Sequence, residues 1–262
     1  MKRIPISLDI TQFPRELHAL LRGAPLFDSS CSPEARVYFI DRDGGYYLKT
    51  APKGTLAREA ALTRFYHERG LSARVVEYLC GERDWLLTTR IVGEDLTDAL
   101  YLADPKRLCD TMAELLHTLH KLPVADCPFD HTAHYLATVE RNFAAGRFDN
   151  SILPPGERPF LTGAEAIATV REGAHLLERN TLLHGDYCLP NILLNGWSFS
   201  GFIDLGGLRA GQGRKECITC RTKLRIVTDF LSESFQTRKK WSETFKLLKE
   251  RKKKRHPEVY MQ

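Results

Sequence analysis

The stretch HGDYCLPNILLNGWSFSGFIDLGG, residues 184–207, constrains the fold of this chain more than any other. Two apolar runs, Ile192–Leu194 and Phe202–Leu205, flank Asn195 and Gly196. Asn-Gly tolerates the positive φ of a tight hairpin turn, so the segment is predicted to fold back on itself. Its two ends then meet, with Asn191 and Asp204 side by side and Asp186 shortly before them. A carboxamide and a carboxylate held by paired strands form a rigid oxygen site of the kind that suits Mg²⁺. That hard cation needs few protein ligands when phosphates supply the rest. Asp186 is left to accept a hydrogen bond from an attacking hydroxyl.

Phosphoryl transfer depends on positioning and charge neutralisation more than on covalent chemistry. The pattern His-Gly-Asp, four residues, Asn, and then Asp-x-Gly has the spacing of a kinase catalytic loop; here it is carried by His184, Asp186, Asn191 and Asp204. The first third of the chain offers an independent check. VYFIDRDGGYYLK (37–49) reads as a hairpin around Asp-Gly-Gly. LAREAALTRFYHERG (56–70) reads as a helix capped by Thr55 and stopped by Gly70. On that helix Glu59 shares a face with Leu62 and Tyr66, so its carboxylate turns toward the core and needs a cation. Lys49, on the preceding strand, is the natural partner, and a Lys held by a helix Glu grips nucleotide phosphates. Taken alone, the two read better as a solvated surface pair; the downstream motif reverses this in favour of the buried reading. SSCSPEAR (29–36) stands where a phosphate-covering loop belongs but lacks its glycines. The N–H groups of Ser29, Ser30 and Ser32 suit a γ-phosphate, and an ordinary polar turn fits the composition as well. RVVEYL (74–79) and DWLLTTRIV (84–92) read as two more strands, making the first 92 residues mostly sheet with one helix.

From Gly93 the pattern turns helical. Asp104 and Pro105 open a helix with Leu108, Met112, Leu115, Leu116 and Leu119 on one face, closed by Pro123; residues 164–179 form another helix candidate after a loop at 146–160. With 262 residues, 43% of them hydrophobic, the chain can bury the core of one large domain or two lobes. Its net charge of +5 is unevenly spread: residues 212–262 hold 15 Lys/Arg against 6 Asp/Glu, while 23 against 27 precede them. An acidic body thus carries a basic tail, and a solvated tail accounts for the charge better than nucleic-acid binding does. MKRIPISLDI has no apolar run behind its basic residues, and no segment has membrane-span length, which points to a cytoplasmic protein. Seven scattered cysteines fit a reducing compartment, and Cys217-x-x-Cys220 lacks the second pair a zinc site requires. His117 and His120 read as the edge of an amphipathic helix, and Cys188 as a packing residue.

With these residues assembled, the sequence resembles the aminoglycoside 3'-phosphotransferases over about residues 15–207. HGDYCLPNILLNG with SGFIDLG carries the resemblance most specifically, supported by LHTLHKLPVADCPF (116–129) and DSSCSPEARVY (28–38). The resemblance implies an α+β, two-lobed protein-kinase-like fold, with a β-rich lobe over 1–92, a mainly helical lobe over 93–211 and a basic tail over 212–262. It also implies Asp186 as catalytic base, Asn191 and Asp204 as Mg²⁺ ligands, and Lys49 with Glu59 as the phosphate grip. Ser30 or Ser32 would touch phosphates, and the segment containing Thr89 and Ile91 would meet adenine. The implied substrates are ATP (GTP in some members) and a polycationic aminoglycoside antibiotic, which the acidic body suits. After Gly206 the family pattern stops: Gly207 stands where an Arg is expected, and no Asp follows until Asp229. A frame shift near codon 207, or a fusion, is expected to leave the C-terminal part aberrant or incomplete. A kinase for another small hydroxylated substrate, and an inactive kinase-like protein with a nucleic-acid-binding tail, remain as alternatives.

Overall fold

In the computed structural model, which describes residues 3–31, 35–148, 162–176 and 182–206, the hairpin expected over 37–49 forms as β3 (Arg36–Ile40) and β4 (Tyr46–Pro52). It lies at the centre of an antiparallel sheet of order β1-β2-β3-β4-β6-β5. The other strands are β1 (Ile4–Ile6), β2 (Leu26–Asp28), β5 (Val75–Cys80) and β6 (Arg83–Thr89). Side chains alternate along β4, so the sheet has two distinct faces. On one, Ile40, Leu48 and Leu87 pack against Phe13, Leu17 and Leu21 of the N-terminal segment. That segment contains a one-turn helix, α1 (His18–Leu21), after two 3₁₀ turns, so the first 92 residues are less exclusively sheet than the sequence suggested. On the other face, Ala51 and Leu86 pack under Leu56 and Ala60 at the start of α2 (Ala57–His67).

The start of α2 corrects the expected cap. Thr55 does not cap the helix; its hydroxyl donates to the Pro52 carbonyl at 2.6 Å. The N–H groups of Gly54 and Leu56 donate instead to Asp84, a fully buried carboxylate on β6, at 3.0 and 2.8 Å. Register explains this: Asp84 sits opposite Ala51 and so faces the helix. A helix N-terminus held by a neighbouring strand is fixed in position relative to the sheet as well as being capped.

Beyond β6 the chain crosses to a second sheet of order β7-β8-β9, formed by β7 (Glu94–Asp95), β8 (Ile192–Asn195) and β9 (Ser198–Phe202). Ile91 packs with Ala73, Leu193 and Ile203, joining the crossing segment to the hairpin. Gly93 (φ +120°) passes so close to β8 that a Cβ there would lie 2.2 Å from the Leu194 carbonyl oxygen. The β8–β9 hairpin forms as expected, with its turn one residue later. Asn195 pairs with Ser198, and the two loop residues are Gly196 and Trp197, at φ +53° and +71°. Positive φ at both positions gives the turn the required twist, and packing holds the bulky Trp197 in it. Its ring meets Tyr101 edge-on at 5.1 Å and lies under the Arg107 guanidinium at 4.3 Å.

The described helices of this half are α3 (Ala99–Leu102), α4 (Pro105–His120), α5 (His131–Ala144) and α6 (Gly163–Gly173). Asp104 caps α4 through the Arg107 N–H, and Leu108, Met112 and Leu119 are buried while Leu115 and Leu116 are half-buried. No described helix is long and apolar enough to cross a membrane. Ser32, Gly207, Cys217, Cys220 and the basic tail lie outside the described residues.

Burial alone would raise the Asp84 carboxyl pKa, but the Gly54 and Leu56 N–H groups, helped by Cys80 and Tyr78, hold it below its ordinary value of 3.8. Its contribution to stability is therefore present above 3.8 and lost as pH falls through the lower folded value. Asp84→Ala is expected to destabilise the protein by about 2–4 kcal/mol at pH 7, because it strands two helix donors. Urea unfolding from pH 7 down to pH 3 checks this: the gap between variant and parent should narrow as the pH falls.

Candidate active site

Lys49 projects from β4 on the α2 side of the sheet, and its ammonium donates to both Glu59 carboxylate oxygens, at 2.8 and 2.9 Å. Both side chains are about 90% removed from solvent, so the surface-pair alternative does not hold. The same ammonium also donates to Asp204, just beyond β9. One cation thus joins a strand, a helix and the end of the distant hairpin. Asp204 adopts φ +57°, an uncommon conformation for a non-glycine residue. Two residues later a Cβ on Gly206 would meet the Glu59 side chain at 3.0 Å. The glycine of Asp-x-Gly therefore gives Glu59 room to reach Lys49.

Asp186 and Asn191 form a second pair. The Asn191 amide donates to the Asp186 carboxylate at 2.9 Å and to its backbone carbonyl at 3.0 Å. His184, buried between Tyr187 and Phe202, accepts the Asp186 N–H on Nδ1 at 3.3 Å. That bond puts the proton of a neutral ring on Nε2. The loop is then fastened from two sides. Tyr187 donates to the Met112 carbonyl of α4 at 2.6 Å, and Tyr66 of α2 donates to the Leu183 carbonyl at 3.0 Å. Burial pushes the Tyr66 phenol far above its ordinary pKa of 10.0, so it remains a donor over the working pH range. Among the described residues, the sequence had pointed to neither tyrosine bond. Nothing in local spacing reveals them, because their partners are backbone carbonyls distant in sequence.

The structure brings Lys49, Glu59 and Asp204 together as one group and Asp186 and Asn191 as another. The backbones of the two groups meet where the Ile203 N–H donates to the Asn191 carbonyl at 3.1 Å. The side chains of Asn191 and Asp204 thus engage different partners, although the hairpin closes between them. An amide's oxygen and nitrogen diverge, so the Asn191 oxygen, the atom a hard cation takes, is directed away from Asp186. Asp204 keeps 43% of its side chain exposed. Among the described residues no group of three His, Cys, Asp or Glu is assembled for a metal. The Asp204 carboxylate and the Asn191 oxygen are hard oxygen donors, which suit an ion that completes its shell with phosphates and water.

Ser30 lies at the base of its loop, where its hydroxyl accepts the Val37 N–H at 3.0 Å and its own N–H donates to Asp28 at 2.8 Å. Ser32 is outside the described residues. Thr89 closes β6: its N–H donates to the Arg74 carbonyl, and its hydroxyl accepts the Arg74 N–H at 3.1 Å. Ile91 anchors the crossing segment through its side chain. His117 is exposed and His120 half-buried, with burial and then the charge of His117 lowering the His120 pKa.

The APH phosphotransferase enzyme family matches residues 29–212. The chain is 43% identical over 202 residues to a probable aminoglycoside 3'-phosphotransferase of Lactococcus lactis subsp. lactis, the aligned part covering 76% of each. The crystal structure of an aminoglycoside-3'-phosphotransferase of type VIII superposes with a TM-score of 0.57 at 26% identity, over 74% of this chain and 77% of that one. The fold is shared as well with the aminoglycoside phosphotransferase APH(3'')-Id of Streptomyces rimosus, solved with ADP and streptomycin. Its TM-score is 0.56 at 23% identity, over 76% and 77% of the two chains.

Tyr66→Phe is expected to cost about 1 kcal/mol and to loosen the loop locally. Hydrogen exchange should show the Asp186 amide losing protection while the amides of β3 and β4 keep theirs.

Proposed function

The chain belongs to the aminoglycoside phosphotransferase family, and from that premise we propose that it transfers the γ-phosphoryl group of ATP to the 3'-hydroxyl of an aminoglycoside antibiotic. The observation that carries this reading is the Lys49 ammonium shared between Glu59 and Asp204, with the Asp186–Asn191 pair joined to it through the hairpin. Lys49 grips the α- and β-phosphates while Glu59 holds it in place. Asp204 and the Asn191 carboxamide oxygen are the groups to hold Mg²⁺. When bound, that ion would offset the charge that builds up on the phosphoryl group during transfer. Asp186, oriented by Asn191 and by its own N–H bond to His184, accepts the proton of the attacking hydroxyl and aligns it with the γ-phosphorus. The backbone of the Thr89–Ile91 segment and the N–H groups around Ser30 and Ser32 are proposed to receive base and phosphates.

The 3' position is supported by the similarity to the Lactococcus lactis relative and to the type VIII structure. A nucleoside triphosphate as donor is supported by the phosphate grip. We further propose a nucleotide lobe over 1–92, a catalytic and acceptor lobe over 93–211, and a tail over 212–262 that begins where the family match ends. A frame shift near codon 207 accounts for the change in composition there. Translating the encoding DNA in the other two frames should recover an acidic, family-like C-terminus, and its absence would sink the frame shift.

Transfer and nucleotide binding are best measured separately, because acceptor contacts beyond Gly206 lie outside the described residues. With purified full-length chain, ATP consumption should rise with kanamycin- or neomycin-like acceptors and stop on chelation of Mg²⁺. Asp186→Ala is expected to lower kcat by roughly 100-fold or more while leaving ADP affinity unchanged, whereas Lys49→Ala weakens ADP. Unimpaired turnover by Asp186→Ala rules out Asp186 as the base. Turnover with sugar- or choline-like acceptors and none with aminoglycosides moves the substrate to another class.

A further inference from the structure

One row of directly paired residues crosses the nucleotide side of the sheet: Phe27 opposite Phe39, Phe39 opposite Tyr47, and Tyr47 opposite Thr88. Directly opposed residues of antiparallel strands share a face. Tyr47 and Lys49, two apart on β4, also share one. The aromatic row therefore looks the same way as Lys49, displaced by about 7 Å of strand toward the segment at 90–93.

Arg3 closes this row at its outer end. It immediately precedes β1, whose pairing with β2 fixes where the side chain starts. Its guanidinium lies 3.7 Å from the centroid of the Phe39 ring, and Nη2 donates to the Tyr47 hydroxyl at 3.2 Å. Phe39 is 1% exposed and meets the Tyr47 ring at 5.2 Å with a 49° tilt. Arg3, Tyr47, Arg90, Ile91, Gly93 and Glu94 line an open pocket of about 160 Å³. One wall is the tyrosine and the other is the chain segment that links the two sheets. A planar cation on an aromatic face, bonded to the neighbouring phenol, restrains both rings, which a flexible ammonium cannot do.

We propose that Arg3 is a positioning residue for the nucleotide base: laid on Phe39 and bonded to Tyr47, it fixes the aromatic wall against which a purine is held beside the Ile91–Gly93 segment. This rests on the nucleotide-binding reading above. Arg3 acts through Tyr47, and its influence is confined to the base end of the ligand, leaving the phosphate grip at Lys49 unaltered.

The test compares Mg²⁺-dependent binding of ADP and of pyrophosphate to the full-length chain by titration calorimetry. Arg3→Ala is expected to weaken ADP roughly five-fold and to leave pyrophosphate unchanged. Arg3→Lys should recover little of that loss, and in a Tyr47→Ala background Arg3→Ala should add nothing. Thermal unfolding checks that each variant folds, and the lysine variant provides a reading if the alanine one does not. Equal loss for ADP and pyrophosphate, unchanged or tighter ADP binding, or full additivity with Tyr47→Ala overturns the role of Arg3. If the unaltered chain fails to bind ADP, the nucleotide reading itself falls. Intact ADP binding that is indifferent to Arg3 removes only the present inference.

Discussion

A buried ammonium must be satisfied from every side it presents to the protein, and the positions of Lys49, Glu59 and Asp204 follow from that requirement. Breaking such a network leaves an uncompensated charge in the interior, at a cost of about 3–5 kcal/mol. The three groups arrive on a strand, a helix and the residue after a hairpin more than 150 positions away. Each arrival imposes a local condition. The helix must start at a set height on the sheet, which Asp84 secures from the neighbouring strand. The chain beyond the hairpin must turn so that Asp204 faces inward, and it does so at positive φ. The residue behind Glu59 must have no side chain, and Gly206 has none.

The segment carrying Asp186 poses the opposite problem. It has little regular structure of its own, so its backbone groups need partners from outside. Phenols fasten it and the hairpin after it to the helices. Tyr66 from α2 reaches the Leu183 carbonyl and Tyr187 reaches the Met112 carbonyl of α4. Tyr101 from α3 reaches the Leu194 carbonyl within the hairpin. A tyrosine suits this role because its ring contributes to the core while its hydroxyl satisfies a carbonyl at the core's edge. Asn191 then acts within a framework that is already fixed, and its amide orients Asp186 without having to order the loop.

Features that follow from one-dimensional periodicity were legible in the sequence. Glu59, Leu62 and Tyr66 announce a buried helix face, and the alternation around Lys49 places its side chain on that side. Features that depend on a distant partner were not legible. Thr55 has the composition of a cap, yet a carboxylate 28 residues beyond Leu56 does the work. Asn195-Gly196 has the composition of a turn, yet the turn falls one residue later because Tyr101 and Arg107 stabilise Trp197 there. The N-terminal residues before β2 carry no strong periodic signal. Even so, they supply Arg3 on one face of the sheet and Phe13, Leu17 and Leu21 on the other. Tyr47 could have been found by counting two residues back from Lys49.

The ion network at Lys49 also bears on how the chain is divided. Every group proposed to touch nucleotide belongs to residues that precede 207, and those among the described residues are braced by bonds made within that same stretch. The family match runs only a few residues further, to 212. On the function proposed above, the described groups assigned to nucleotide therefore form a network held together without any residue beyond 206.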